Sequence, residues 1–104
     1  MIIFPCAAGT FYPDDADALR SSVMSMLSHA SSDRPMPKAI IAPHAGYIYS
    51  GPVAASAYAC LAKAKGKIQK VVLLAPSHMA SFEGMATTTA SAYQTSLEIG
   101  RAHV

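Results

Sequence analysis

Two apolar runs in this chain end in the same way. Lys38-Ala39-Ile40-Ile41-Ala42 leads into Pro43-His44, and Lys70-Val71-Val72-Leu73-Leu74-Ala75 leads into Pro76-Ser77-His78. A short, continuous apolar run predicts a strand buried on both faces, as in a parallel sheet. The second run is richer in β-branched residues and is the stronger strand former. Between them, Gly51-Pro52 is expected to open a helix capped by Ser50 or Gly51. Pro52 would sit in its first turn, where the missing N–H costs nothing. Val53, Ala54, Ala57, Tyr58 and Leu61 form the expected packing stripe, the alanines allow close approach to a sheet, and Gly66 ends the helix. Strand, helix and strand in this order predict a βαβ unit with parallel strands. The expected fold class is therefore α/β, a parallel or mixed sheet with flanking helices around a βαβ core.

The remaining chain fits around that unit. Gly9-Thr10-Phe11-Tyr12-Pro13 is an irregular leading segment. Asp14 or Asp15 then caps a first helix, because a carboxylate accepts from free first-turn N–H groups and suits the positive end of the dipole. Leu19, Val23, Met26 and Leu27 recur at helical spacing, and the helix is expected to fade near His29 and Ala30. Ser31 to Pro37 is a linker, since small polar residues and two prolines sustain neither regular structure. Met79 to Gly84 reads as loop, and Met85 to Ala90 as a third, more exposed strand.

Composition narrows the function. At 104 residues the chain is one small domain at most, yet it is 52% hydrophobic and only 13% charged. Ordinary globular chains carry roughly 25% charged residues, and a small domain has a large surface to solvate. The balance suits an inner piece of something larger. Lys63, Lys65, Lys67 and Lys70 gather around one predicted turn without interleaved aromatics, which marks a solvated helix end and no nucleic-acid surface. No run approaches the roughly 18 apolar residues of a membrane span, and the first residues lack a basic leader region. Cys6 and Cys60 do not make a disulfide framework, so a reducing cytoplasm is the expected location.

The chemistry rests on the two echoed bends. In a parallel α/β sheet, ligands bind beyond the carboxyl ends of the strands. His44 and His78 both follow such an end, and strands spaced about 4.8 Å apart can bring two imidazoles to one ion. Histidine is the commonest ligand of zinc, iron and copper. Pro43 and Pro76 stiffen each approach, and Gly46 gives backbone freedom beside the site. Tyr47, Tyr49 and Ser77 offer hydroxyls for hydrogen bonds to ligands or substrate. Two histidines make an incomplete site, since catalytic zinc or iron takes three protein ligands. His29 is read as a solvated helix-end residue and Cys60 as a small buried thiol. No phosphate-cradling glycine loop and no Gly-x-Ser-x-Gly element is present.

Four blocks carry a family resemblance: Ala8-Gly9-Thr10-Phe11-Tyr12-Pro13, Ile40 to Gly51 with its Ala-Pro-His-Ala-Gly-Tyr core, Leu74-Ala75-Pro76-Ser77-His78, and Ala92-Tyr93-Gln94-Thr95-Ser96-Leu97. Together they resemble the Memo family, whose prokaryotic members are called AmmeMemoRadiSam system protein B. The resemblance implies the N-terminal part of a three-layer fold related to LigB-type non-haem iron extradiol dioxygenases. It implies a metal pocket using His44 and His78, with Gly46, Tyr47, Ser77 and Met79 around it. It also implies iron or copper in preference to zinc, and completion of the site from later segments, including a cysteine. Met79 stands where the family usually has a second histidine, and Ser96 where it usually has proline.

Residues 98–104 match the translation of a common short-read sequencing adapter. Residues 1–97 are accordingly expected to be the N-terminal portion of a truncated Memo-like domain, with 98–104 not native and His103 without functional meaning. The functional expectation is part of a metal-binding protein with a small molecule or peptide in its cleft. The alternatives are a non-catalytic scaffold that holds a peptide or partner in the same cleft, and a hydrolytic zinc enzyme. Dioxygenase ancestry alone does not establish activity.

Overall fold

The first helix, α1, runs from Ala16 to Ser28, and the chemistry of its ends explains its length. Asp15 has extended backbone, and its Oδ2 accepts from the Ala18 N–H at 2.9 Å, satisfying a free first-turn donor. Leu19 is 3% exposed and anchors the inner face, with Val23, Met26 and Leu27 half-buried beside it. At the far end the His29 backbone N–H reaches the Ser25 and Leu27 carbonyls. The His29 ring Nδ1–H donates to the Ser25 carbonyl at 2.7 Å, so this imidazole closes the helix. In the computed structural model, residues 1–31, 33–97 and 99–101 are described.

The second helix, α2, spans Tyr47–Ala59 and starts a turn before the expected point. Gly46 is its N-cap, and the Gly46 carbonyl accepts from the Tyr49 and Ser50 N–H groups at 2.9 and 3.1 Å. Pro52 therefore lies inside the helix, where it removes one ladder bond. The carbonyl that loses its partner belongs to Ile48, an exposed residue that water can reach. The helix also stops early: Cys60 caps it, a 3-10 turn at Ala62–Ala64 follows, and Gly66 takes φ +78° in the next turn.

The buried stripe of α2 differs from the expected one. Gly51, Ala55 and Ala59 face inward, four residues apart, while Val53 and Tyr58 are exposed. These small residues admit α1, not a sheet: a Cβ on Gly51 would stand 2.5 Å from the Met26 sulfur.

A mixed three-stranded sheet ties the two chain ends together, in the order β1 (Ile2–Ile3), β2 (Ala92–Gln94) and β3 (Ile99–Arg101). β1 pairs parallel to β2 with Ile2 opposite Ala92, and β3 pairs antiparallel to β2 with Gly100 opposite Tyr93. The Ser91 N–H and hydroxyl both donate to the Met1 carbonyl at 2.9 Å. The Ser96 hydroxyl donates to the Pro13 carbonyl at 3.0 Å, a tie between residues 83 apart in sequence.

Two helices and a sheet with a parallel pair bear out an α/β chain. The strands expected at 38–42, 70–75 and 85–90 are not formed among the described residues. A continuous apolar run becomes a strand only where neighbouring strands complete its ladder and layers cover both faces. Neither is present here: Ile41 is 99% exposed, Val72 86% and Leu73 81%. No βαβ core is formed among the described residues, and the parallel pair joins residues 2–3 to residues 92–93 instead. The expectation for residues 98–104 falls partly on 98 and 102–104, including His103, which lie outside the described residues. No helix among the described residues is long and apolar enough to cross a membrane.

Candidate functional site

The bend at Ala42-Pro43-His44-Ala45-Gly46 is seated on the leading segment. The Phe11 carbonyl accepts from the Tyr47 N–H at 2.8 Å, and an added Cβ on buried Gly46 would meet Phe11 atoms at 3.6 Å. The Tyr12 and Tyr47 rings pack with centroids 5.9 Å apart, tilted by 40°. Burial, reinforced by the Tyr12 and Tyr58 phenols, pushes the Tyr47 hydroxyl above its ordinary pKa of 10.0. Ser50 turns its hydroxyl back to the Ala45 carbonyl at 3.1 Å. His44 therefore projects from a bend held on the side of Phe11 and at the start of α2.

The second bend is closed by Ser77. Its hydroxyl donates to the Ala80 carbonyl at 2.6 Å and accepts from the Ala80 N–H at 3.4 Å, making a small loop around His78 and Met79. An open groove of about 880 Å³ runs along this segment, lined among others by Leu73, His78, Met79, Phe82 and Met85.

These bends bring the two imidazoles together. His44 Nε2 and His78 Nε2 lie 3.0 Å apart, with ring centroids 5.1 Å apart and planes inclined by 43°. Both residues are exposed. At that spacing one ring can donate N–H and the other accept. The same spacing suits two donors on one ion, because nitrogens held about 2.1 Å from a metal at right angles stand about 3.0 Å apart. Among the described residues, no group of three His, Cys, Asp or Glu residues is placed to hold a metal. The donor set therefore fits two positions of a coordination sphere.

The other candidate residues divide. Ser77 and Met79 flank His78, and Met79 is 98% exposed. Gly46 is buried as the helix cap. Tyr47 packs against Tyr12, so its ring works in seating the bend. Cys6 and Cys60 are free thiols. Phe11 was not among the candidates, although its block was legible as a motif; its carbonyl and ring position the His44 bend.

A small α/β chain with two strap-like bends that converge on a pair of exposed histidines is the class the fold and site define. By sequence, the chain belongs to the Memo-like protein family, whose model matches residues 4–104. A MEMO1 family protein of Methanopyrus kandleri is 37% identical over 102 residues, covering 89% of this chain and 36% of that protein. One from Aquifex aeolicus is 37% identical over 91 residues, covering 88% and 33%. One from Metallosphaera sedula is 40% identical over 84 residues, covering 71% and 29%. The chain spans about a third of the length of the curated relatives it matches.

Proposed function

We propose that this chain carries two ligands, His44 and His78, of a metal centre in a Memo-like protein. The observation that carries the reading is the 3.0 Å separation of their Nε2 atoms across 34 residues of sequence. Imidazole suits iron, copper and zinc alike, and iron or copper is the proposed occupant. The resemblance to LigB-type extradiol dioxygenases supports a three-layer fold for the whole protein, with further ligands supplied outside these residues. A bound Fe(II) would offer open positions for oxygen and a small-molecule substrate. His44 and His78 hold and orient the ion, Ser77 fixes the turn that carries His78, and Gly46 and Tyr47 fix the approach of His44. Two free thiols and the absence of a membrane-crossing helix among the described residues support a cytoplasmic setting.

A non-catalytic scaffold that holds a peptide or partner is the second reading. It is favoured by the exposed apolar segment Val71 to Leu74, which leads directly into the His78 bend. Metal titration of the chain separates the two readings. Binding of Fe(II) or copper that is lost in both His44→Ala and His78→Ala supports the metal centre. Absence of binding, with peptide capture unaffected by those substitutions, leaves the scaffold.

A further inference from the structure

We infer that Ser96 is a positioning residue that sets where His44 stands against His78, acting through the segment Ala7 to Pro13. The inference rests on the reading of His44 and His78 as a ligand pair, and names what holds one of them in place. The Ser96 hydroxyl donates to the Pro13 carbonyl at 3.0 Å, and both residues are half-buried. Pro13 ends a tightly bonded loop. The Gly9 N–H donates to the Tyr12 carbonyl at 2.7 Å, and the Thr10 and Phe11 N–H groups donate to the Ala7 carbonyl at 3.1 and 2.8 Å. Gly9 closes the loop at φ +81°, a left-handed conformation that glycine adopts without steric cost. Phe11, Tyr12 and Pro13 therefore shift together.

The other side of this loop carries the His44 bend. The Phe11 carbonyl accepts from the Tyr47 N–H at 2.8 Å, and the Tyr12 ring packs on the Tyr47 ring with centroids 5.9 Å apart. His44 precedes Tyr47 closely and lies in neither helix nor strand, so its place is inherited from what the bend rests on. Ser96, just past the end of β2, thus joins the support of His44 to the sheet. Without the hydroxyl the half-buried Pro13 carbonyl loses this donor, and leaving one partner unpaired is the costly way to break a hydrogen bond. A loop that shifts to find another partner takes the bend with it. A ligand pair is sensitive to such a shift, since metal–ligand distances tolerate only about 0.2 Å.

The test uses Zn(II), a redox-inert ion that imidazole binds, and the ring protons of the metal-free chain. Competition with a chromogenic indicator gives the Zn(II) affinity, and the NOE between the His44 and His78 rings reports their approach without metal. Ser96→Ala is expected to weaken Zn(II) by about 2–30-fold, the span that mutations along a contact network produce, and to weaken the NOE. Ser96→Thr keeps the hydroxyl and should restore both. Ser91→Ala is the control, because the Ser91 hydroxyl makes an equally distant tie, to the Met1 carbonyl at 2.9 Å, outside the loop. It should change neither readout. In a Tyr12→Leu background, where the ring contact to Tyr47 is gone, Ser96→Ala should lose part of its effect, because residues acting through one contact are non-additive. Wild-type values of both readouts in Ser96→Ala overturn the inference, as do equal losses in Ser96→Ala and Ser91→Ala, or full additivity with Tyr12→Leu. Zn(II) binding indifferent to His44→Ala and His78→Ala, with an NOE that still responds to Ser96→Ala, sinks the metal centre and leaves the positioning of His44 standing.

Discussion

His44 and His78 meet nitrogen to nitrogen at 3.0 Å, although neither lies in a helix or strand. Each is delivered by a bend with its own support, Phe11 and the α2 cap on one side and the Ser77–Ala80 turn on the other. Because both rings are exposed, the first prediction separates binding from folding. His44→Ala and His78→Ala should each abolish tight binding of Fe(II) or copper, read by equilibrium dialysis with elemental analysis. Surface substitutions of this kind change stability by about 0.5 kcal/mol or less, so the denaturation midpoint should stay in place. Loss of metal together with a large fall in the midpoint would point to a structural role instead.

Gly51 faces the Met26 side chain of α1 at close quarters, and this yields a prediction with two opposing terms. Gly51→Ala gains about 0.5–1 kcal/mol of helix propensity. It also brings a methyl to 2.5 Å from the Met26 sulfur, which lies near the end of a flexible side chain and must move aside, a shift cheaper than displacing backbone. Gly51→Ala should therefore be less stabilising in the wild-type background than in a Met26→Ala background, where nothing has to move, read from the urea midpoint of the helical signal. Equal effects in both backgrounds would mean that α1 and α2 do not pack as described.

Local signals and partner-dependent signals were unequally legible. The Asp15 cap and the end of α1 at His29 were readable because capping is decided by residues within one turn. The start of α2 was misplaced because Gly51-Pro52 imitates a helix opening, whereas the helix already begins at Tyr47 and Gly51 lies buried within it against Met26. Val71 to Leu74 reads as a strand by composition, but a strand exists only through its neighbours, and none pairs with it among the described residues. The β1–β2 pair was invisible for the converse reason: Ile2-Ile3 and Ala92-Tyr93-Gln94 are too short for a periodic signal and meet across nearly the whole chain. The histidine pair was foreseen for a partly mistaken reason. The echoed Ala-Pro…His pattern does converge, but on bends without the strands thought to deliver them.

Tyr47 supplies a pH prediction. Burial, then the neighbouring Tyr12 and Tyr58, hold its phenol protonated above the ordinary 10.0. The folded state thus keeps a proton that the unfolded chain releases at about pH 10. Stability from this group is fully present below the unfolded pKa and is lost as pH rises through the folded one. Thermal midpoints measured between about pH 9 and 11.5 should fall more steeply in the wild type than in Tyr47→Phe. Parallel slopes would show that the Tyr47 ring is solvated and that its stacking on Tyr12 is not maintained.

Val71 to Leu74 combines strand-forming residues, near-complete exposure and no charge between Lys70 and Glu83. Such a segment offers unpaired backbone and apolar side chains to any second copy, which is the recipe for edge-to-edge association. The chain alone should therefore be poorly soluble and scatter light increasingly with concentration. Val72→Lys with Leu73→Lys places two like charges on that segment, and a gatekeeping charge is the usual way such runs are kept apart. Both side chains are more than four-fifths exposed, so the double substitution should raise soluble yield and suppress scattering without lowering the denaturation midpoint. A marked loss of stability would instead place Val72 and Leu73 in a core, and would restore the buried strand that their composition suggests.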